Sequence, residues 1–238
     1  MDDCLEAVQG GADRIELCGA ITVGGLTPSL GTLIEAKRRV NVPIVAMVRP
    51  RGAGFDYTEA EFATMLSDAE HLMASGADGL VFGVLLPDGG IDVQRMGQLV
   101  SLCGDKDKVC HRCFDVTPNP REALEQLIDL GFTRLLTSGQ RAFASDGAPL
   151  IRELVELAAG RIEILPAGGL RMNNIVDFLH ETGCNCVHLA PFTEQTDTST
   201  LGNPEIEYAP TSLPKESVYH LIDREQVTAV VKACSGLA

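Results

Sequence analysis

The sequence of 238 residues lacks any long apolar run and is poor in basic residues. No apolar stretch approaches the roughly 20 residues that a membrane-spanning helix needs, so we expect no membrane partner. Lys and Arg together number 19 against 33 Asp and Glu, which gives a formal net charge of −14. Nucleic acids and anionic membranes bind basic protein faces. We therefore expect neither of them as a general partner.

The eight cysteines lack the compact spacing of a small disulfide-rich secreted protein. In a chain of this size they are typical of free thiols in a reducing compartment. The first three residues are Met1-Asp2-Asp3, which lack the positive charge that opens a signal peptide. We therefore expect a cytoplasmic protein.

Short apolar segments typical of β-strands alternate with amphipathic segments typical of helices. Capping signals mark several helix starts, such as Thr58 with Glu61 and Asn119 before Pro120. This alternation predicts right-handed βαβ units and a parallel sheet. The predicted strands are 14–18, 44–49, 79–85, 109–114, 134–137, 162–166 and 186–190.

A weak internal repeat predicts how these units are arranged. The segments GADRIEL, GADGLVF, GFTRLLT and GCNCVHL begin at Gly11, Gly76, Gly131 and Gly183. Their starts are 65, 55 and 52 residues apart, so each interval holds two βα units. Such quarter repeats favour a (β/α)8 TIM barrel over a doubly wound sheet. We predict one barrel domain over residues 1–238.

The predicted barrel has eight helices and seven strands, because the first helix precedes the first visible strand. The repeat marks every second strand, which places the missing first strand before Met1. Either the sequence starts internally or the fold lacks a strand. We favour an internal start, because an open barrel leaves unpaired backbone groups beside the core. We expect the natural protein to begin roughly 5–10 residues upstream, the length of one strand.

The segment after the last predicted strand, residues 191–222, is rich in Thr, Ser and Pro. This composition argues against regular secondary structure. Loops of such length are usually functional, mobile or both. We predict a long irregular flap that follows the barrel.

Active sites of such barrels lie at the C-terminal ends of the strands. Because side chains alternate along a strand, parity predicts which of them face the barrel mouth. In the third strand of the barrel it predicts that Ile44, Ala46 and Val48 face the helices. The predicted polar set comprises Glu16, Cys18, Arg49, Arg51, His111 or Arg112, Asp115 and His188.

This polar set supports two interpretations. The first is a structural ion pair between Glu16 and Arg49, since buried charges need partners. The second is a ligand pocket with an anion-binding side and a proton-transfer side. Arginine forks suit phosphate or carboxylate, and a carboxylate with a histidine can exchange protons with a substrate. In that pocket the anion-binding residues are Arg49, Arg51 and Arg112, and the catalytic candidates are Glu16, His111 and Asp115.

Gly168 and Gly169 follow the seventh strand of the barrel and precede a helix. Many barrels bind a phosphate there through backbone N–H groups. The next strand ends in HLAPF, without the glycine that usually completes such a site. A double glycine also suits an ordinary tight turn, so both interpretations stay open.

The cysteines suggest a soft metal ion in one place only. Cys184, Cys186 and His188 share one face of the last predicted strand, and thiolate and imidazole ligands suit Cu(I). Alternatively, free cysteines act as small apolar residues that fill a barrel interior. Cys110 and Cys113 have C-x-x-C spacing. On a continuous strand they point to opposite faces, so we expect that they cannot bind one ion together.

Seven motifs carry a resemblance to a known family: GGADRIELC, GGLTPSLG, VRPRGAGFDY, GADGLVFGVL, HRCFD, LTSG and AGGL. They run in family order from residue 10 to about residue 190 and resemble the copper homeostasis CutC family. The resemblance implies a single-domain (β/α)8 barrel, an association with copper tolerance and copper binding, and no settled enzymatic reaction.

The resemblance also bears on individual residues. Family sequences usually begin with a strand that ends in cysteine, upstream of where this chain starts. It implies that Cys18 is the matching thiol on the neighbouring strand and that His188 matches the family's histidine in the eighth strand. HRCFD stands where HRAFD is commoner, so Cys113 is not implied as a family ligand.

Two functions therefore stay open at this stage. One is a cytosolic copper homeostasis protein that binds Cu(I) through Cys18, Cys186 and His188. The other is a barrel enzyme acting on a small phosphorylated or carboxylated metabolite, because arginines at the mouth favour an anion over a cation. The sequence leaves open whether the protein forms a homo-oligomer.

Overall fold

The computed structural model describes residues 1–203, 205–206, 208 and 216–236. At its centre lies a parallel sheet in which six strands follow one another in chain order. These strands are β1 Ile15–Leu17, β2 Ile44–Met47, β3 Gly79–Phe82, β4 Asp107–Cys110, β5 Arg134–Thr137 and β6 Glu163–Pro166. Each is followed by an α-helix, as expected of successive βαβ units.

The described residues contain eight α-helices, the number predicted. They are α1 Asp2–Gln9, α2 Leu30–Arg39, α3 Glu59–Ala74, α4 Val93–Cys103, α5 Pro120–Asp129, α6 Ala148–Ala158, α7 Ile175–Thr182 and α8 Arg224–Ser235. The capping box of Thr58 and Glu61 opens α3, and Asn119 caps α5 just before Pro120. No helix in the described ranges is both long and apolar enough to cross a membrane. The described residues form a (β/α)8-type barrel that lacks the first strand, as predicted, and has six strands in its parallel sheet.

The last predicted strand, residues 186–190, is wrong as a strand. The segment contacts the sheet through a single bridge, in which the N–H of His188 donates to the carbonyl of Pro166 at 2.9 Å. The N–H groups of Glu163 and Ala167 donate towards β5. The alternate residues of β6 face the segment 186–190 instead. One of them is Pro166, which has no N–H to donate to that segment. The proline therefore stops the ladder after one bridge.

The flap is also more regular than predicted. Strands β7 Phe192–Thr196 and β8 Val218–Ile222 pair antiparallel, and the N–H of Ile222 donates to the carboxylate of Asp3 on α1 at 2.8 Å. Both segments contain β-branched and aromatic residues, which favour strands. The prediction of irregular structure across 191–222 is wrong for these two strands. Residues 204, 207 and 209–215 of the flap lie outside the described residues.

Strand parity sorts the apolar side chains into two clusters. On β2, Ile44, Ala46 and Val48 pack in the large cluster between the sheet and its helices, as predicted. Val45 and Met47 point the other way, into the barrel interior. There they pack with two valines of β3 and β4 and with the half-buried Cys18. The middle of the barrel is thus apolar, and polar groups lie at the two ends of the strands.

Candidate functional site

Arg49 follows β2 and is buried, with 7% of its surface exposed. Its guanidinium donates to the carbonyls of Val23 and Gly25 at 3.0 Å and to that of Ala53 at 2.8 Å. The predicted ion pair between Glu16 and Arg49 is therefore wrong. Two loops at the strand ends bring carbonyl oxygens around the guanidinium, and these acceptors satisfy most of its donors.

Arg51 holds the loop after β2 in a similar way. Its Nε and Nη2 donate to the two carboxylate oxygens of Glu61 at 2.6 and 3.1 Å. Its remaining hydrogen bonds reach the carbonyls of Gly52, Gly54 and Asp56. Both arginines of the V-R-P-R motif thus organise loop backbone at the barrel mouth.

Asp115 lies just after β4 at the centre of a polar cluster. Its carboxylate accepts hydrogen bonds from the hydroxyl of Thr137 at 2.6 Å, from the hydroxyl and N–H of Ser138 at 2.9 and 3.0 Å, and from the N–H of Gln140 at 3.2 Å. Arg112 donates to it at 2.7 Å. Asp115 and Arg112 are candidates predicted from the sequence, whereas no role was predicted for Thr137 and Ser138, although both belong to the LTSG motif at the end of β5.

The predicted anion-binding residues Arg112, Gly168 and Gly169 lie on one side of the mouth. The Arg112 side chain is 42% exposed, and its Nη2 donates to Ser138 at 2.6 Å. A Cβ on Gly168 would stand 3.5 Å from Arg112 Nη1, and one on Gly169 would clash with the ring of Phe143. Both glycines have positive φ, 104° and 74°. This turn therefore requires glycine both for its backbone conformation and for space.

Glu16 and His188 meet inside the barrel. A carboxylate oxygen of Glu16 lies 3.8 Å from Nδ1 of His188, because the bridge after β6 brings His188 towards β1. The side chains are 13% and 30% exposed, so solvent reaches the pair. The predicted proton-transfer candidate Glu16 and metal candidate His188 therefore share one location.

Cys18 lies at the end of β1, next to the pair just described. A Cβ on Gly25 would stand 3.3 Å from its Sγ and 3.7 Å from Cε of Met47. Burial, with the nearby charge of Glu16, raises the pKa of the Cys18 thiol to about 11. The thiol of Cys18 and the terminal methyl group of Met47 thus both lie below the loop after β1, and the two side chains pack in one cluster.

Cys186 occupies a different level of the barrel. Its thiol donates to the carbonyl of Ile164 at 3.4 Å, and burial and the charge of Glu163 raise its pKa. Glu163 is the first residue of β6, whereas Cys18 stands near the mouth. In the part of the chain that the structure describes, no three His, Cys, Asp or Glu side chains are arranged to hold a metal ion. Cys18, Cys186 and His188 therefore do not come together as one three-ligand set.

Three buried polar atoms near the mouth have no hydrogen-bond partner among the described residues: Arg49 Nε, Tyr57 Oη and His111 Nε2. The ring of Phe55 lies between two of these groups, 4.9 Å from the His111 ring and 5.2 Å from the Arg49 guanidinium. Burial raises the pKa of Tyr57 to about 12 although Arg49 opposes the shift. The inner wall of the mouth therefore carries several hydrogen-bond donors.

Backbone strain is concentrated at the same end of the barrel. Ala20, Ala53 and Gln140 have φ values of 47°, 67° and 58°, in the left-handed region that residues with a Cβ rarely adopt. Ala53 supplies a carbonyl to Arg49, and Gln140 supplies an N–H to Asp115. Strained residues held by hydrogen bonds are typical of functional loops.

The family model for the CutC family matches residues 1–193 of this chain. The chain belongs to the CutC family. A CutC family protein of Treponema denticola is 45% identical over 98% of this chain and 94% of its own length. A human protein named copper homeostasis protein cutC homolog is 43% identical over 79% of this chain and 69% of its own length. The CutC crystal structure from Streptococcus agalactiae superposes with a TM-score of 0.72 and 34% identity, over 74% of this chain and 87% of that one.

One feature of this CutC chain contradicts the sequence prediction directly. Cys110 and Cys113 were expected on opposite faces of a strand, yet their sulfur atoms lie 3.7 Å apart. The predicted strand 109–114 is wrong after Cys110, because the chain turns at His111 into a 3₁₀-helix, Arg112–Val116. This turn brings the side chain of Cys113 back against that of Cys110, the last residue of β4.

Proposed function

We propose that this CutC protein binds Cu(I) in copper homeostasis, with Cys18 and Met47 as its sulfur ligands. The observation that carries the proposal is the packing of a thiol side chain and a thioether side chain in one cluster at the inner mouth of the barrel. Soft sulfur ligands select Cu(I) over harder cations. His188, which contacts Glu16 nearby, is the candidate for a further ligand.

The charges around this site favour a cation more than the sequence indicated. Arg51 is paired with Glu61 and Arg112 with Asp115, and Arg49 is surrounded by carbonyl oxygens. The carboxylate of Glu16 lies inside the barrel. The positive charges of the mouth are therefore largely balanced, and the negative charge nearest to Cys18 attracts a cation.

The same chemistry supports the proposal of a cytoplasmic location. All eight cysteines are free, which suits a reducing cytoplasm, where copper is held as Cu(I). Because burial keeps the Cys18 thiol protonated at neutral pH, binding of the metal displaces that proton.

A titration of reduced protein with Cu(I) against a competing chelator tests the proposal. Cys18→Ser and Met47→Leu should each weaken binding by more than about tenfold, since even the loss of a group outside the ligand shell costs about that much. Cys103→Ser is the matched control, because Cys103 is a buried thiol on α4. Unchanged affinity in Cys18→Ser would remove the proposed site.

A second candidate function is supported by a separate observation. The exposed side of Arg112 faces the Gly168–Gly169 turn before α7, which suits a small phosphorylated or carboxylated ligand. We propose Glu16, His111 and Asp115 as the proton-transfer groups of such a barrel enzyme. Phosphate titration followed by calorimetry should show binding in the wild type and loss of binding in Arg112→Gln. Equal heats in the two proteins would reject this function.

A further inference from the structure

Cys110 and Cys113 lie where β4 ends and the 3₁₀-helix after it begins. Their sulfur atoms are 3.7 Å apart, and both residues are fully buried. The contact is possible only because the chain turns at His111. A disulfide needs the two sulfur atoms to approach to about 2.05 Å, so the gap between them has to close by roughly one bond length.

The surroundings fix both sulfur atoms. A Cβ on Gly83 would collide with the sulfur of Cys113, so glycine at that position makes room for it. The N–H of Cys113 donates to Nδ1 of His111 at 3.2 Å, which orients the turn. Cys110 also contacts the carbonyl of His111 at 3.5 Å. The two thiols are therefore held in contact by the backbone around them.

The two thiols differ in acidity. Burial by itself raises the pKa of a thiol, and at Cys113 the hydrogen bond from Cys110 and the neighbouring His111 outweigh it and lower the pKa. The same hydrogen bond, together with burial, raises the pKa of Cys110. Unequal thiols are typical of C-x-x-C redox pairs, in which one cysteine attacks and the other resolves.

We propose that Cys110 and Cys113 form a redox site that a hydroperoxide converts reversibly into a disulfide. The proposal does not depend on copper binding, since neither cysteine belongs to the Cys18 site.

The oxidation proceeds in two balanced steps. The thiolate of Cys113 attacks an oxygen of hydrogen peroxide, the O–O bond breaks, a sulfenic acid forms, and the released hydroxide takes up the thiol proton as water. The thiol of Cys110 then attacks that sulfur, and a second water leaves as the S–S bond forms. The two electrons lost by the sulfur atoms reduce the peroxide to two waters. A dithiol reverses the reaction by exchange.

Access to the buried pair requires only a local movement. Cys113 belongs to a five-residue 3₁₀-helix, and local opening of such a short segment requires less free energy than unfolding of the whole protein. A cleft of about 600 Å³ opens on the same face, lined by Phe55, Leu86 and Val116 among others. Phe55 packs on His111, next to the pair. A small oxidant thus reaches the sulfur atoms more readily than a bulky one.

Oxidation would act on the polar cluster, because the same turn carries Arg112 and Asp115. Closing the S–S bond pulls the turn towards the end of β4. The hydrogen bonds of Asp115 to Ser138 and Gln140 then adjust. Oxidation of the pair therefore changes the hydrogen bonds at the barrel mouth.

Peptide mapping of the folded, full-length protein tests this proposal. Trypsin cleaves after Lys108 and Arg112, so residues 109–112 and 113–121 separate unless a disulfide joins them. Reduced protein is treated with equimolar hydrogen peroxide, alkylated in denaturant and digested without reductant. We expect the joined peptide to be the main product, and dithiothreitol added before alkylation to restore two alkylated peptides.

Two variants complete the test. In Cys110→Ala the reaction should stop at the Cys113 sulfenic acid, which dimedone labels. Cys103→Ala, which removes a buried thiol elsewhere, should give the joined peptide as the wild type does. The proposal is overturned if the wild-type peptides stay separate and alkylated, if they carry only sulfinic acid, or if they join only in urea.

Discussion

The two ends of the same six strands handle charge in different ways. At the N-terminal ends, side chains neutralise one another: Arg134 contacts both Asp107 and Glu163, and Arg14 lies 3.6 Å from Asp107. At the C-terminal ends, charged groups bind loop backbone as well as one another. Arg49 donates to three carbonyls, for example, while Asp115 accepts from N–H groups and hydroxyls.

This difference separates stability from function within one sheet. Ion pairs at the N-terminal ends of the strands, the lower end of the barrel, close the interior without involving long loops. Hydrogen bonds at the upper end hold strained loop residues and leave buried donors on Tyr57 and His111 without partners among the described residues. Conservation of a structural layer and assembly of a site on loops are typical of the two faces of such barrels. The following changes test the contrast, from the largest expected effect to the smallest.

Removing the central cation of the lower end should destabilise the protein most. Arg134→Met leaves the carboxylates of Asp107 and Glu163 half-buried beside one another, which should lower the free energy of unfolding by about 3 kcal/mol. Urea unfolding measures it. Arg161→Met breaks an exposed pair with Glu125 and should lower the free energy of unfolding much less. Equal losses in the two variants would contradict a special role for the lower layer.

At the upper end, Asp115→Asn should lower the free energy of unfolding by about 2 kcal/mol. The amide group turns one acceptor into a donor that faces the donors of Ser138 and Gln140. The exposed Asp88 provides the control, since Asp88→Asn changes the same charge at the surface. A loss of unfolding free energy no larger than that of the control would show that solvent replaces the hydrogen bonds of Asp115.

Arg49→Lys should cost roughly 1 kcal/mol, because lysine keeps the charge but cannot reach three carbonyls with one planar fork. Hydrogen exchange should accelerate in the loops that contain Gly25 and Ala53. Phosphate binding at Arg112 should stay unchanged. Loss of phosphate binding with unchanged exchange would instead assign Arg49 to an anion site.

The smallest effect concerns Glu61. Its hydrogen bond from Arg51 lowers the pKa of this carboxyl group. A depressed carboxyl pKa stabilises the fold above the unfolded pKa, and this stabilisation disappears as the pH falls through the folded pKa. Glu61→Gln retains the shape but not the charge. The difference in Tm between wild type and variant should therefore shrink from about pH 6 to about pH 3, whereas a constant difference would argue against the ion pair.

The sequence predicted the fold because three of the four glycine-marked segments, those from Gly11, Gly76 and Gly131, do lead into strands of the sheet. Parity also predicted the two faces of β2 correctly. The reduction of the last strand to a single bridge at His188 was not predicted. It arises because Pro166 faces that segment and has no N–H to donate, and strand register decides which residues face a neighbouring strand. Repeats and parity are local properties, whereas register is a property of pairs of strands.

The site was less predictable for a related reason. Arg49 finds its partners at the carbonyls of Val23 and Gly25, and backbone carbonyls have no signature in the sequence. The contact between Cys110 and Cys113 escaped prediction because parity assumes that a strand continues, and this one ends at Cys110. Residue type predicted which side chains matter, but loop conformation decides what they contact.

Copper binding at the inner mouth is the central claim about this protein. X-ray absorption at the copper edge tests that binding directly. Reduced protein is loaded with one equivalent of Cu(I), and the neighbours of the metal are determined in the wild type and in Cys18→Ser. We predict sulfur neighbours in the wild type and fewer of them in the variant. A spectrum dominated by nitrogen and oxygen neighbours, or identical spectra for the two proteins, would contradict the proposed site.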